Sequence, residues 1–146
     1  DFSNGTTSEA PDDPAVLLGS ETVGCVRAET LVPRRRRIDL IKVDVEGAEY
    51  LALGGCERLI RRWRPAIISE FSPSLMPGIS GVTGREYLRW LEALGYRLGI
   101  IMPDGAVREA DVAAVMAEHE RRGTDHLDLL CSPRRPFGAL FRRRTR

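Results

Sequence analysis

The alternation of apolar and polar residues divides the chain into strand-like and helix-like segments. Short runs rich in β-branched residues predict strands at 22–28, 38–45, 66–71, 96–102 and 126–131. Apolar residues at helical spacing predict helices over 47–62 and 83–94, and either a helix or a mobile excursion over 111–122. This order predicts one α/β domain with a mostly parallel sheet and helices on both faces. Only the last two strands could run antiparallel to each other.

The stretch 38–55 is the part of the chain around which the other segments are arranged. Its strand is almost continuously apolar, so we expect both faces of that strand to be buried, as in a parallel sheet. Lys42, Asp44 and Glu46 interrupt the end of the strand, and a glycine then turns the chain into a helix. Glu70 closes the next strand. Because open α/β sheets bind ligands at the carboxyl ends of their strands, this edge is the predicted site.

The two ends of the chain differ in composition from the part between them. Residues 1–20 predict an irregular approach segment, and 21–132 form the predicted domain. The basic tail, residues 133–146, is either a frayed end or a contact with a membrane surface or a partner. The arginines at 34–37 predict a solvated loop, with a phosphate or acidic-partner site as the alternative.

Composition excludes several classes of protein. Hydrophobic residues make up 42% and charged residues 29%, which is typical of a globular domain. No apolar run reaches the roughly 20 residues of a membrane span, and we see no signal peptide. The net charge of +1 gives no general case for nucleic-acid binding. Cys25, Cys56 and Cys131 lack metal-ligand spacing, so we expect reduced thiols in a cytoplasmic protein.

The central motif carries a resemblance to a known family. Lys42, Asp44, Glu46, Gly47 and Glu49 match a K-x-D-x-E-G-x-E pattern. It is followed by Leu53, Gly54 and Gly55, which resemble a Leu-x-Gly-Gly element, and by a strand segment at 64–70 that begins with Arg-Pro. Together they resemble the FkbM-type methyltransferases. The resemblance covers roughly residues 3–132, and it implies a Rossmann-like class I methyltransferase sheet that uses S-adenosylmethionine. The implied reaction is methyl transfer to a hydroxyl oxygen of a small metabolite, sugar or glycan.

One part of the family pattern is missing from this chain. Such enzymes hold the cofactor with a glycine-rich turn after the first strand and an acidic residue after the second, and neither precedes residue 38 here. We therefore expect a truncated piece of the enzyme, with a sheet that lacks its first strands. No cofactor-binding residue is assigned. The strand at 38–45 would then have an open edge through which the chain could self-associate.

The resemblance also implies roles for the charged residues of the motif. Asp44 would take the proton of the acceptor hydroxyl or orient that hydroxyl, and Lys42, on the same face of the strand, would hold Asp44 in place. Lys42 is the single lysine among 22 basic residues, which favours a specific role. Glu46 would contact the acceptor or the cofactor. Glu49 and Glu70 would shape the acceptor pocket.

Other interpretations remain open. Lys42, Asp44 and Glu46 could be an ion-paired strand end that only supports the helix, and Glu49 could only complement its dipole. A divalent cation on Asp44, Glu46 and Glu70 is possible but not predicted. For the whole chain, the alternative to an enzyme is a non-catalytic α/β remnant that acts as an interaction or assembly module. A nucleic-acid methyltransferase or binder is a third interpretation.

Overall fold

The computed structural model describes residues 24–133, which form one five-stranded sheet with six helices. The strands are β1 (Leu40–Val43), β2 (Ala66–Phe71), β3 (Tyr96–Ile101), β4 (Val107–Ala110) and β5 (Leu127–Pro133). The helices are α1 (Ala28–Leu31), α2 (Glu49–Gly54), α3 (Glu57–Trp63), α4 (Met76–Ile79), α5 (Gly84–Ala93) and α6 (Val112–Arg122). The predicted approach segment, and the tail beyond Pro133, lie outside the described residues.

The sheet is mixed and mostly antiparallel, so the prediction of a mostly parallel sheet is wrong. The strand order is β1-β2-β5-β3-β4. Only β1 and β2 pair in parallel, while β5 is antiparallel to both β2 and β3, and β4 is antiparallel to β3. The last two predicted strands, which could run antiparallel to each other, do so as β3 and β5. The physical reason is the unpredicted hairpin β3–β4, which reverses the chain before α6 carries it back to begin β5.

The hydrophobic core lies on one face of this sheet. Alternate strand residues such as Ile67, Leu98 and Leu129 point into it. Helices α2 to α6 all contribute buried side chains to the same core, and α1 buries no residue. The predicted second layer of helices therefore does not occur within residues 24–133.

Strand β1 lies at the edge of the sheet and not in its middle. Its only partner among the described residues is β2, and Leu40 is 54% exposed. The predicted burial of both faces is therefore wrong, whereas the predicted open edge is present in the described part of the chain. Burial requires neighbours on both sides, and an apolar sequence does not provide them.

Local signals predicted the helices with mixed success. A capping box begins the predicted helix α5, because the Thr83 side chain accepts from the Glu86 N–H and the Glu86 side chain accepts from the Thr83 N–H. The segment 111–122 is a helix, and Asp111 caps it by accepting from the N–H of Ala114. The helix predicted over 47–62 is instead divided into α2 and α3. The strand predicted at 22–28 is not present over residues 24–28, where an irregular segment leads into α1.

Candidate active site

The site begins with an ion pair at the end of β1. Lys42 and Asp44 lie two residues apart on one face, and the Lys42 Nζ donates to the Asp44 Oδ2 over 2.5 Å. This hydrogen bond raises the pKa of Lys42, and the negative charges of Asp44, Glu70 and Asp128 add to the effect. Both side chains are partly exposed, so the Asp44 carboxylate is held in place and still reaches solvent.

A tight turn follows, and a buried carboxylate holds it. Glu46 and Gly47 have positive φ angles of 48° and 94°, a conformation that is strained for any residue with a side chain. The Glu49 Oε1 accepts from the backbone N–H groups of Val45 (3.1 Å) and Gly47 (3.2 Å). The Ser80 hydroxyl donates to the Gly47 carbonyl. These bonds fix the direction in which Glu46 projects.

Glu49 therefore lies behind the turn and not on its surface. Its exposure is 0%, so none of it is available to a ligand at the surface. Its Oε2 has no hydrogen-bond partner among the described residues, which is costly for a buried carboxylate oxygen. The position suits a residue that orients the turn, and Glu49 also lies in the first turn of α2, where an acidic side chain complements the helix dipole.

Glu70 brings a third carboxylate to the same place. Carboxylate oxygens of Asp44, Glu46 and Glu70 all lie within 4.8 Å of one another. Burial raises the pKa of Glu70, and the nearby charges of Asp44 and Glu46 raise it further, while His126 opposes the shift. The structure thus brings together Lys42, Asp44, Glu46 and Glu70 at the predicted edge, and it places Glu49 beneath them.

Sequence reasoning missed two residues of this cluster. His126 lies 3.9 Å from the Glu70 Oε1 by its Nδ1, and Asp128 is directly opposite Glu70 in the β2–β5 register. They are at the start of β5, which reaches the carboxyl end of β2 only because the two strands are antiparallel. The signal that could have found them is the pair of ionisable residues at the start of the last strand, read with the correct strand direction.

The side chains of the cluster can accept protons and can attract positively charged ligands. Several carboxylates face one lysine, so the site favours ligands that carry hydroxyl groups or positive charge. Oxygen ligands in this arrangement also suit a divalent cation. Within residues 24–133, this is the one group of three or more acidic, cysteine or histidine side chains close enough to hold a metal ion.

One cavity within residues 24–133 borders the carboxylate cluster. It has a volume of about 440 Å³, follows the edge of β1, and is lined by Lys42 and Asp44 together with apolar residues of β1 and α2. Another cavity, of about 640 Å³, lies between α1 and α3 and includes Arg34, the one member of the predicted arginine loop that contributes to it. Neither of these two cavities includes Glu46 or Glu70, so only the Lys42–Asp44 side of the cluster borders a cavity.

Comparisons with known proteins give one match. Residues 3–98 match the sequence profile of the family described as the methyltransferase FkbM domain. No curated protein and no solved structure matches the chain. None of the helices within residues 24–133 is both long and apolar enough to cross a membrane.

Proposed function

This chain belongs to the FkbM methyltransferase domain family, and we propose that it takes part in methyl transfer from S-adenosylmethionine to a hydroxyl oxygen. The acceptor class that we propose is a small metabolite, sugar or glycan. The observation that carries the proposal is the convergence of Asp44, Glu46 and Glu70, steadied by Lys42, at the carboxyl ends of β1 and β2. We place the reaction in the cytoplasm, in keeping with the free thiols of Cys25, Cys56 and Cys131.

The donor fits the described residues only in part. Its positively charged groups suit the carboxylate cluster, but within residues 24–133 no strand is followed by the Gly-x-Gly turn that would approach its carboxylate and ribose. When bound, the donor supplies the methyl group. We assign no donor-binding residue and derive only what the acceptor side does.

Asp44 is the proposed catalytic residue. A hydroxyl oxygen must lose its proton as it forms the new bond to carbon, and an ionised carboxylate at hydrogen-bond distance can accept that proton. The short bond from Lys42 keeps one carboxylate oxygen of Asp44 occupied, so the other can face the acceptor. Glu46 and Glu70 would then accept hydrogen bonds from further hydroxyl groups, while Glu49 orients the turn that carries Glu46.

Replacement of Asp44 tests this assignment. Removing a general base typically costs about 10²–10⁴-fold in rate, so Asp44→Asn should lower methyl transfer by at least about 100-fold. The assay is transfer of radiolabelled methyl to a panel of hydroxyl acceptors at millimolar S-adenosylmethionine, so that weak donor binding by this chain does not limit the rate. Asp39→Asn is the matched control, because Asp39 is an exposed carboxylate just before β1 that pairs with Arg37. Equal rates for the two variants would contradict the catalytic role of Asp44.

Donor affinity is a separate test. We expect this chain to bind S-adenosylmethionine more weakly than the micromolar range, since the described residues offer no backbone cradle for its ribose and carboxylate. Calorimetric titration of the full chain measures this directly. A micromolar dissociation constant would contradict this expectation, and it would show that the chain has donor-binding residues that we have not identified.

A second candidate function is an interaction or assembly module. The observation in its favour is that one edge of β1 has no strand partner within residues 24–133, so its backbone groups could pair with a strand of another chain. Sedimentation equilibrium should then show self-association that Leu40→Lys weakens. A monomer at all concentrations would argue against self-assembly through this edge.

A further inference from the structure

The cavity between α1 and α3 lies away from the carboxylate cluster. Its walls are α1, the turn at 32–34, which leads towards β1, and α3, which leads into β2. It therefore lies towards the amino ends of β1 and β2, whereas Asp44 and Glu70 lie at their carboxyl ends. No residue of the carboxylate cluster lines it. A ligand bound in this cavity is thus separate from the groups proposed for methyl transfer.

The cavity has the size and part of the lining of a small-molecule site. Its volume of about 640 Å³ falls within the roughly 300–1,000 Å³ that is usual for ligand pockets. The apolar part of its lining is formed by Val32, Pro33, Leu59 and Trp63. Leu59 is buried and Trp63 is half-buried, so both are held in place by the fold. They offer an apolar surface to the organic part of a ligand.

The polar part of the lining carries a net positive charge. Among the described residues, it contains Arg34, Arg58 and Arg62 as cations and Glu29 as its acid, so the net charge is three minus one, or +2. Glu29 is largely buried and lies 3.6 Å from Arg27 and 4.0 Å from Arg58. Both distances are longer than a hydrogen bond. Glu29 therefore leaves the guanidinium donors of Arg58 unused.

The arginines of α3 differ in whether a carboxylate already binds them. Arg61 donates to Glu57 one turn earlier over 2.7 Å, and it does not line the cavity. Arg58 and Arg62 are four residues apart, which places them on one side of the helix, and both line the cavity. Within residues 24–133, neither Arg62 nor Arg34 forms an ion pair. The cavity thus gathers the arginines whose donors are available.

Trp63 positions one of these arginines. The Arg62 guanidinium lies over the Trp63 ring, 4.8 Å from the ring centroid. Such a cation–π contact uses the flat face of the guanidinium and leaves the N–H donors at its edge. These donors form a planar fork that matches two oxygens of a phosphate group. Arg62 is therefore prepared to bind an oxyanion.

Charge and donor geometry together select a phosphate group. A phosphate monoester carries a charge of about −1.5 to −2 at neutral pH, which matches the cavity, whereas a carboxylate carries a single charge. Guanidinium groups bind phosphate through paired hydrogen bonds. We propose that this cavity binds a small organic phosphate. Arg34, Arg58 and Arg62 donate to its phosphate oxygens, and its organic part packs on Leu59 and Trp63.

Phenyl phosphate is the probe for this proposal, because it joins a phosphate dianion to one aromatic ring. It is titrated into the full chain at neutral pH and low salt, where charge interactions are least screened, and binding is followed by ligand-detected proton NMR. The expected result is saturable binding with a dissociation constant below about 10 mM. Benzyl alcohol, which is neutral and of similar size, should bind more weakly. No saturation by phenyl phosphate, or an equal affinity for benzyl alcohol, would overturn the proposal.

Two neighbouring arginines of α3 provide a matched pair of variants. Arg62→Gln and Arg61→Gln each remove one positive charge at an exposed position, but only Arg62 lines the cavity. Arg62→Gln should raise the dissociation constant at least about tenfold, because it removes charge-assisted hydrogen bonds. Arg61→Gln should change it less than about twofold.

Two outcomes of this comparison would overturn the proposal. If both substitutions weaken binding equally, the probe is attracted only by the general charge of the surface. If an oligothymidylate binds more tightly than phenyl phosphate and both substitutions weaken it alike, the arginines bind a nucleic acid and not a small phosphate.

The two tryptophans of the chain report where the probe binds. Trp63 lines the cavity, whereas Trp90 packs against Tyr50 and Tyr87. In a Trp90→Phe chain, phenyl phosphate should change the Trp63 fluorescence over the same concentration range as in the NMR titration. In a Trp63→Phe chain, the Trp90 fluorescence should stay constant. A constant Trp63 signal, or a change in the Trp90 signal alone, would overturn the proposal.

Discussion

Replacing Gly47 by alanine tests the turn that positions Glu46. Gly47 has a φ angle of 94°, and a Cβ added there would lie 2.7 Å from the Cβ of Leu75 and 3.2 Å from the Cδ1 of Ile79. The left-handed conformation costs a residue with a side chain about 1–2 kcal/mol. Forcing extra atoms into a packed region adds about 1–3 kcal/mol. Gly47→Ala should therefore lower the free energy of unfolding by roughly 2–5 kcal/mol.

A second glycine separates the two contributions. Gly105 has a similar φ angle of 81°, but no atom lies within 4 Å of the position of an added Cβ. Gly105→Ala should consequently lose only the conformational part, about 1–2 kcal/mol. The difference between the two variants measures the contact of the Gly47 turn with Leu75 and Ile79.

The assay is urea unfolding of the full chain, followed by far-ultraviolet circular dichroism. The free energy extrapolated to water is compared at an unchanged denaturant slope, so that the comparison reports stability alone. If Gly47→Ala is no less stable than Gly105→Ala, then Leu75 and Ile79 do not constrain the turn. The hydrogen bonds of the turn with Glu49 and Ser80 would then have to hold it, and Glu46 with it, without help from this packing.

Two further predictions concern helix ends and acid stability. Thr83→Ala removes the side chain that accepts from the Glu86 N–H. It should lower the free energy of unfolding by about 1 kcal/mol in the same urea assay. An unchanged free energy of unfolding would mean that the capping box does not stabilise α5. The pKa of Glu118 is held well below its usual range by hydrogen bonds from Arg121, Arg108 and Arg122. The ionised Glu118 carboxylate therefore stabilises the folded chain above the unfolded-state pKa of about 4.3, and this stabilisation is lost as the pH falls below that value. Glu118→Gln should therefore make the unfolding free energy fall less steeply between about pH 5 and pH 3. If the unfolding free energy falls equally steeply with pH in the natural chain and in the variant, this interpretation of Glu118 is wrong.

Much of the local structure could be predicted because its causes are local. The apolar face of α5, with Tyr87, Leu88 and Leu91 buried, follows from helical spacing, and Gly95 ends that helix with a φ angle of 81°. Thr83 and Glu86 are three residues apart, so their mutual bonds need no other part of the chain. The placement of Lys42 beside Asp44 follows in the same way from the alternation of side chains along a strand.

Strand direction and burial could not be obtained in this way. The segment Val107–Ala110 has no strong strand pattern, yet its pairing with β3 reverses the chain and makes β5 antiparallel to its neighbours. That reversal brings His126 and Asp128 to the carboxylate cluster. The apolar run of β1 predicts a strand but not how many neighbours it has, so Leu40 is exposed where burial was expected.

The family motif, the end of β1 as the candidate site and the residue types available there could all be predicted from the sequence. The folded arrangement was needed to show that Glu49 is buried beneath the turn while Asp44, Glu46 and Glu70 converge above it. It was also needed to show that the helices within residues 24–133 that bury side chains all pack on one face of the sheet. Periodicity and capping depend on residues a few positions apart, whereas burial, charge proximity and strand direction depend on contacts between residues far apart in the chain.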